Sequence, residues 1–314
     1  MDISFIIVNW NTQHLLEACL HSIYDTVQDV TFEVIVVDNG SQDGSVSFLK
    51  DHFPSVQIVE NFRNRGFGAA NNQAFAIMKG RYALLLNTDA LLTPHAAAQL
   101  FSFMELTPDA SVACGQLLNA DGTKQNSIAV APSLVTLLFN AAVLEYLFPG
   151  RFPSKRYTHT KPIEIESAVG ACIIVRRDAI DDIGPFDERY FFFFEETDWM
   201  RRMRNGGWKL YHVPSARIYH LQGQSIGPNI HSRMEFYRSR YQFLKKWNST
   251  CYNALAVTVV FCRLTINLLS TTIGCAVTLW RKKNIRDKWH LYGQLFLWHL
   301  RGCPASYHGD RKEQ

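Results

Sequence analysis

Tyr82-Ala83-Leu84-Leu85-Leu86-Asn87-Thr88-Asp89 carries five apolar residues straight into a carboxylate. An apolar run this short, without polar alternation, reads as a strand buried on both faces. The pattern recurs upstream, each time ahead of helical spacing. Residues 3–8 precede a segment with Leu15, Leu16, Cys19, Leu20 and Ile23 on one face; residues 32–37 precede a helix through Phe48 and Leu49; residues 56–59 precede a helix over 69–78. The run at 82–86 is followed by a helix from Pro94. Four βα units imply an α/β fold with a parallel sheet, whose ligands sit beyond the carboxyl ends of the strands. That rule selects Asn9, Asp38, residues 61–65 and Asn87-Thr88-Asp89.

Downstream the alternation becomes irregular. Pro149, Arg151, Pro153, Lys155, Arg156, Lys161 and Pro162 mark a surface loop or a domain boundary. A strand-like run over 168–175 follows, then the aromatics Phe191-Phe192-Phe193-Phe194, a helix over 195–205 ended by Gly206-Gly207, and a short strand over 216–219.

With 314 residues, 47% hydrophobic and 19% charged, the chain is neither disordered nor fibrous. The net charge of +4 hides an asymmetry: residues 236–314 carry +10 and residues 1–235 carry −6. Residues 254–280 hold one charge, Arg263, flanked by Lys245, Lys246, Trp247, Trp280, Arg281, Lys282 and Lys283. Aromatic and basic flanks suit a membrane interface, and in-plane attachment leads over a crossing or a buried helix pair, since seven Thr, Ser and Asn residues interrupt the run. Seven scattered cysteines without a CxxC pair argue against structural zinc and a disulfide framework, and no basic, apolar leader opens the chain; a reducing cytoplasm is the expected setting. No GxxxxGK[ST] loop occurs, and Gly66-Phe67-Gly68 lacks the third glycine of a dinucleotide fingerprint.

Three groups carry chemistry. Asp89 at a buried strand tip needs a positive partner: a divalent cation sharing substrate phosphates would serve, and a plain helix N-cap ahead of Pro94 is the alternative. Glu195-Glu196-Thr197-Asp198-Trp199 opens a helix, where acids are common for dipole reasons, but the four preceding phenylalanines would raise a carboxyl pKa and suit it to take a proton. His220, in His220-Leu221-Gln222-Gly223-Gln224-Ser225, could ligate a Mn²⁺-class metal or contact phosphate, or be structural.

Together, Ile6-Ile7-Val8-Asn9-Trp10-Asn11, Val36-Val37-Asp38-Asn39-Gly40-Ser41-Gln42-Asp43-Gly44-Ser45, Asn64-Arg65-Gly66-Phe67-Gly68-Ala69-Ala70-Asn71-Asn72, Leu86-Asn87-Thr88-Asp89 and Phe194-Glu195-Glu196-Thr197-Asp198-Trp199 resemble glycosyltransferase family 2, in its bacterial rhamnosyltransferase-like branch. The resemblance covers residues 1–240 and implies a GT-A fold: a mostly parallel central sheet flanked by helices. It implies a catalytic domain over 1–235, with a nucleotide-sugar half at 1–115 and an acceptor half at 116–235, ahead of a membrane-associating helical region at 236–314.

It further implies a metal-dependent, inverting transfer of a sugar, best rhamnose from dTDP-rhamnose and next a UDP-linked sugar, onto a saccharide or polyprenyl-diphosphate-linked acceptor at the cytoplasmic face of the inner membrane. Asn9, Asp38 and Arg65 would surround the nucleotide. Asn87-Thr88-Asp89 would occupy the DxD slot, with Asn in its first place, and Asp89 and His220 would hold Mg²⁺ or Mn²⁺. Glu196 would be the general base, with Asp198 and Glu195 as alternatives. Gly170, Ala171, Cys172 and Trp199 would lie on the acceptor side. Two other readings stand beside this one: a nucleotide-sugar binder without catalysis, and a nucleic-acid binder using Arg238, Arg240, Lys245 and Lys246 with Tyr237, Tyr241 and Trp247; the apolar run beside those charges argues against nucleic acid.

Overall fold

The structure, a computed structural model, describes residues 1–152, 159–221 and 230–304. Pro153, Lys155, Arg156 and the 222–225 part of the histidine motif lie outside the described residues. The elements in order are β1 (Ile3–Asn9), α1 (Gln13–Thr26), β2 (Phe32–Asp38), α2 (Ser45–His52), β3 (Gln57–Glu60), α3 (Phe67–Phe75), β4 (Tyr82–Leu86), β5 (Ala90–Leu92), α4 (Ala96–Leu106) and β6 (Ala110–Leu118). They continue with β7 (Ile128–Ala129), α5 (Leu134–Leu138), α6 (Ala141–Leu147), β8 (Ile163–Glu164), β9 (Ser167–Ala168), β10 (Cys172–Arg176), α7 (Arg177–Ile183), α8 (Glu195–Asn205), β11 (Lys209–His220), α9 (Ile230–Trp247), α10 (Thr250–Val277) and α11 (Lys283–Leu300).

Alternate residues of the apolar runs enter two separate cores. Ile3, Phe5, Ile7, Val34, Val36, Leu84 and Leu86 pack under α1 and α4. Ile6, Ile35, Val37, Ala83 and Leu85 pack under α3 and α8, around the fully buried Trp199. Period-two alternation between two greasy layers explains why these strands show no polar face.

The sheet order is β3-β2-β1-β4-β10-β6-β11-β5, with β8 beside β11. Strands β3, β2, β1 and β4 are parallel, β10 runs against both β4 and β6, β6 and β11 are parallel, and β5 and β8 oppose β11. The mostly parallel sheet flanked by helices is the expected architecture.

Three local expectations are corrected. The run over 168–175 is two strands, β9 and β10, broken at Gly170-Ala171. The short strand over 216–219 is the end of the twelve-residue β11, which passes Pro214 through a bulge where Val213 faces Gly115 and Arg217 faces Gln116. Proline is tolerated in a strand at such an irregularity. Gly115 permits it, because a Cβ there would stand 2.4 Å from the Ala216 carbonyl oxygen. Asp89 caps no helix: it leads into β5, and α4 starts after His95.

The chain divides into two compact units, Met1–Ala131 with Pro149–Ser225 and Pro132–Phe148 with Ile226–Gln314. The boundary expected at 235/236 therefore falls within α9, and the expected division at 115/116 falls within β6, a continuous strand. The second unit takes in α6 and also α5, whose Leu137 packs with Leu244, Ala256, Val260, Leu264 and Leu295.

In the second unit, α10 is long and apolar enough to cross a membrane by length and composition. Its threonines do not oppose an apolar setting: Thr258, Thr265, Thr271, Thr272 and Thr278 each donate to the carbonyl four residues back. Such back-bonding satisfies the hydroxyls within the helix.

Candidate active site

The polar residues at the strand tips are tied together. Asn9, at the end of β1 and fully buried, donates through Nδ2 to Asp38 Oδ2 at 2.8 Å and to Ser41 Oγ at 3.1 Å. Asp38 Oδ1 accepts from the backbone N–H groups of Gly40 (3.1 Å) and Ser41 (2.8 Å), so the carboxylate shapes the turn after β2. Three of its roughly four acceptor positions are used, which leaves one for a ligand. Thr12 Oγ1 bridges Asn9 Oδ1 (2.8 Å) to Thr88 Oγ1 (3.1 Å), linking the first strand tip to the Asn87-Thr88-Asp89 tip. Arg65 is exposed on the neighbouring loop, with its N–H directed at Asn39 Oδ1.

Asp89 and His220 come together through strand pairing. Because β5 starts at the residue after Asp89 and pairs with β11 in the register His220 opposite Ala90, the imidazole arrives beside the carboxylate. The Leu221 N–H donates to the Asp89 carbonyl at 2.8 Å, and His220 Nε2 stands 3.5 Å from Asp89 Oδ1.

A residue that the sequence reading did not select, Gln125, fixes the chemistry of this pair. Its amide nitrogen donates to the His220 carbonyl and to Asn119 Oδ1, each at 2.7 Å, so its Oε1 must be the atom 3.0 Å from His220 Nδ1. An oxygen accepts, so Nδ1 carries a proton and Nε2 faces the Asp89 carboxylate. A carboxylate and an imidazole nitrogen this close suit a cation between them or a proton on Nε2. Asp89 and His220 therefore fit a divalent cation that draws its other ligands from water and substrate phosphate. Among the described residues no group of three His, Cys, Asp or Glu side chains could hold a metal by itself.

The residues expected on the acceptor side abut this tip. The Asn87 N–H donates to the Ala171 carbonyl at 2.9 Å, and Cys172 pairs with Leu86. Gly170 faces the base candidate: a Cβ at Gly170 would lie 3.5 Å from Glu196 Cγ. Ala171 and Cys172 themselves are buried, and burial pushes the Cys172 thiol up to about 12, so these two support the turn, while Gly170 is half-buried beside Glu196.

Glu196 sits in the first turn of α8, half-buried, with its pKa pushed up to about 7 by desolvation against the opposing pull of the N–H groups of Glu196 and Thr197. The helix is positioned by strain and close approach. Phe193 and Phe194 both take positive φ, 71° and 66°, which a bulky residue adopts at a cost of about 1–3 kcal/mol. Gly66, at φ 89°, lets its own backbone approach the Phe191 carbonyl, where a Cβ would come within 2.5 Å, and the Phe67 N–H donates to that carbonyl at 3.0 Å. This is the use of the glycine-rich segment that failed as a dinucleotide fingerprint.

Three expected site residues are placed elsewhere. Asp198, fully buried, pairs with Arg202 at 3.3 Å and accepts from Tyr190 Oη at 3.4 Å, which removes it as an alternative base. Glu195 is buried facing Gly68 on α3. Trp199 donates to the Gly184 carbonyl and packs on Phe75 and Phe186, a core role and not an acceptor contact.

The polar turn after β2, the Asp89–His220 pair and the desolvated Glu196, set on a helix-flanked sheet, suit a glycosyltransferase of the GT-A type. Residues 4–184 match the profile of glycosyl transferase family 2, and the chain belongs to that family. It is 29% identical over 237 residues to the N-acetylglucosaminyl-diphospho-decaprenol L-rhamnosyltransferase of Mycobacterium tuberculosis, covering 70% of this chain and 77% of that protein. It is 24% identical over 207 residues to the low-salt glycan biosynthesis hexosyltransferase Agl10 of Haloferax volcanii, covering 65% and 62%.

Among solved structures, the mannosyltransferase PcManGT of Pyrobaculum calidifontis in complex with GDP-Man and Mn²⁺ superposes with a TM-score of 0.57 at 15% identity, covering 95% of this chain and 87% of that one. GalNAc-T7 with UDP, GalNAc and Mn²⁺ gives 0.57 at 17% identity, covering 76% of this chain and 47% of that one, so this chain spans about half of its length.

Proposed function

We propose that the protein transfers a sugar, with inversion, from a nucleotide-diphospho-sugar to a hydroxyl of a saccharide carried on a polyprenyl diphosphate. The leading donor is dTDP-rhamnose and the next a UDP-linked sugar; the product feeds a cell-surface polysaccharide. The likeness to the mycobacterial rhamnosyltransferase, whose name specifies a decaprenyl-diphosphate-linked substrate, supports both donor and acceptor classes. The observation that carries the reading is the approach of His220 Nε2 to Asp89 Oδ1, with Gly170 joining that tip to Glu196.

In this reading Asn9, Asp38 and Arg65 border the nucleotide, and Asn87-Thr88-Asp89 meets the diphosphate. Glu196 takes the proton of the acceptor hydroxyl as its oxygen forms the new bond to the anomeric carbon. The bond from that carbon to the diphosphate breaks on the opposite face, and the diphosphate leaves with the electron pair. A carboxyl with a pKa near 7 is an efficient base at neutral pH. Asp89 and His220 would hold Mg²⁺ or Mn²⁺, which would supply neutralising charge for the departing diphosphate. Peripheral attachment through α10 at the cytoplasmic face places the protein where a lipid-linked acceptor is presented.

The test is a panel of nucleotide sugars with and without EDTA, scored by thermal midpoint and by the anomeric configuration of the product. A midpoint shift with dTDP-rhamnose that EDTA reduces, together with an inverted product, supports the reading. Donor binding without transfer to any saccharide would make the protein a binder, and recovery of all of it in the soluble fraction at low salt without detergent would remove the membrane.

A further inference from the structure

The C-terminal unit contains a cavity of about 430 Å³ bordered by α5, α6, α9 and α10. The charged residues lining it are Arg233, Arg240 and Arg263, and no carboxylate is among its described lining residues. The acid nearest in sequence on α9, Glu235, is buried in an ion pair with Arg238. Arg240 is held by ring faces, its guanidinium carbon 4.5 Å from the Phe236 centroid and 5.5 Å from that of Tyr237. Arg263 donates from Nη1 to the Leu137 carbonyl, which leaves the rest of its five-donor fork available. Burial lowers the Arg240 pKa, and the nearby Arg263 adds a smaller push in the same direction. Exposed apolar side chains of the same unit adjoin the lining: Leu138, Phe139 and Val143 on or between α5 and α6, and Ile266 on α10.

We propose that this cavity binds the diphosphate of a lipid diphosphate, with the lipid chain lying on the apolar side chains beside it. The proposal rests on the acceptor class given above and locates the group that holds the carrier. Guanidinium forks match phosphate oxygens bidentately. Three guanidiniums suit the multiple charge of a diphosphate, whereas a bilayer phospholipid with one phosphodiester would leave most of the site unneutralised. The apolar border distinguishes a lipid diphosphate from free pyrophosphate.

The experiment uses the full chain in EDTA and measures binding of farnesyl diphosphate, farnesol, inorganic pyrophosphate and phosphatidylcholine vesicles containing phosphatidylglycerol. Farnesyl diphosphate should bind more tightly than pyrophosphate or farnesol. Arg240→Gln and Arg263→Gln should each weaken it about tenfold or more, from the loss of charge-assisted hydrogen bonds. Arg281→Gln, an equal charge loss outside the cavity lining, should not, and circular dichroism should show the variants folded. Equal weakening by Arg281→Gln, equal affinity for pyrophosphate, or loss confined to the phosphatidylglycerol vesicles would each overturn the proposal.

Donor hydrolysis, measured separately with metal, keeps the two readings apart. Hydrolysis without arginine-dependent farnesyl diphosphate binding sinks this site alone. Arginine-dependent binding without any donor use sinks the transferase reading alone.

Discussion

The two units of the chain handle apolar surface in opposite ways. Among the described residues, the sheet unit exposes four large hydrophobic side chains, Met1, Tyr24, Phe62 and Leu106, while the smaller helical unit exposes seventeen. The first buries its apolar residues in two cores beneath strand tips that bring Asn9, Asp38 and Thr88 together. The second leaves α5, α6 and much of α10 uncovered and carries the positive charge. Exposed apolar patches of this extent on a soluble monomer mark an interaction surface. The contrast separates chemistry, which needs a rigid buried scaffold, from placement, which needs an adhesive one.

The largest effect expected in the sheet unit follows from Glu196. Glu196→Gln should lower kcat about 10²- to 10⁴-fold while donor binding, read by thermal midpoint, persists. In the proposed mechanism the carboxylate form is the base, and with its pKa raised to about 7 wild-type kcat/KM should rise with pH up to that value and level off above it. An acid limb near the ordinary glutamate range instead would detach catalysis from Glu196.

Acid should separate the two units next. His212, buried in β11 with neither ring nitrogen hydrogen-bonded among the described residues, has its pKa lowered to about 4 by burial and secondarily by the charges of His159 and Lys124. The unfolded chain takes up this proton near pH 6.5 and the folded one does not, so the contribution is fully present above pH 6.5 and is lost as pH falls toward 4. It amounts to at most about 3 kcal/mol. His212→Leu should flatten denaturant midpoints across that window. The slope that remains belongs in part to His299 in the helical unit, whose pKa burial also lowers.

How far the sequence reaches into each unit follows from the physics that places the residues. Asn9, Asp38 and Asp89 were legible because a run buried on both faces must end where polar groups can emerge. The helix start that carries Glu196 was legible because an aromatic run gives way there to acidic residues and helical spacing. The directions of Asp198 and Trp199 were not legible because the motif fixes spacing and not facing: two residues along a helix turns the side chain by about 200°, and Asp198 meets Arg202. Gln125 left no signal, since its role exists only after β11 has been carried past Pro214 by the Gly115 bulge and His220 has been delivered to Ala90. The helical unit was legible as charge and hydropathy, but its arginine cavity joins residues from 136 to 267 that no local pattern connects.

Gln125 gives a mid-sized test of the scaffold. Gln125→Leu removes the acceptor for His220 Nδ1 and frees the ring to change tautomer. Mn²⁺ affinity, read by electron paramagnetic resonance, should fall about 10- to 100-fold with the fold intact. Gln125→Glu, which keeps the acceptor for Nδ1 but loses the two amide donations, should recover part of it. Equal loss in both variants would mean that Gln125 only packs.

The smallest effect tests the contrast itself. Ile273 on α10 is 64% exposed and Leu106 on α4 is 84% exposed, so solvent exposure alone ranks Leu106 as the better anchor. If attachment belongs to the helical unit, Ile273→Asp should weaken partitioning onto anionic vesicles by about tenfold. Removing one aliphatic side chain from the interface forfeits about 1.5–3 kcal/mol when fully buried, and only part of that at a shallow interface. Leu106→Asp should change it by less than about twofold, because one isolated apolar residue on an acidic body has no patch to join. Both substitutions lie on solvent-facing helix positions, so midpoints in denaturant should move little, within about 0.5 kcal/mol. Equal losses would show that the membrane reads net charge and not the uncovered face of α10, and the division of labour between the units would fail at that point.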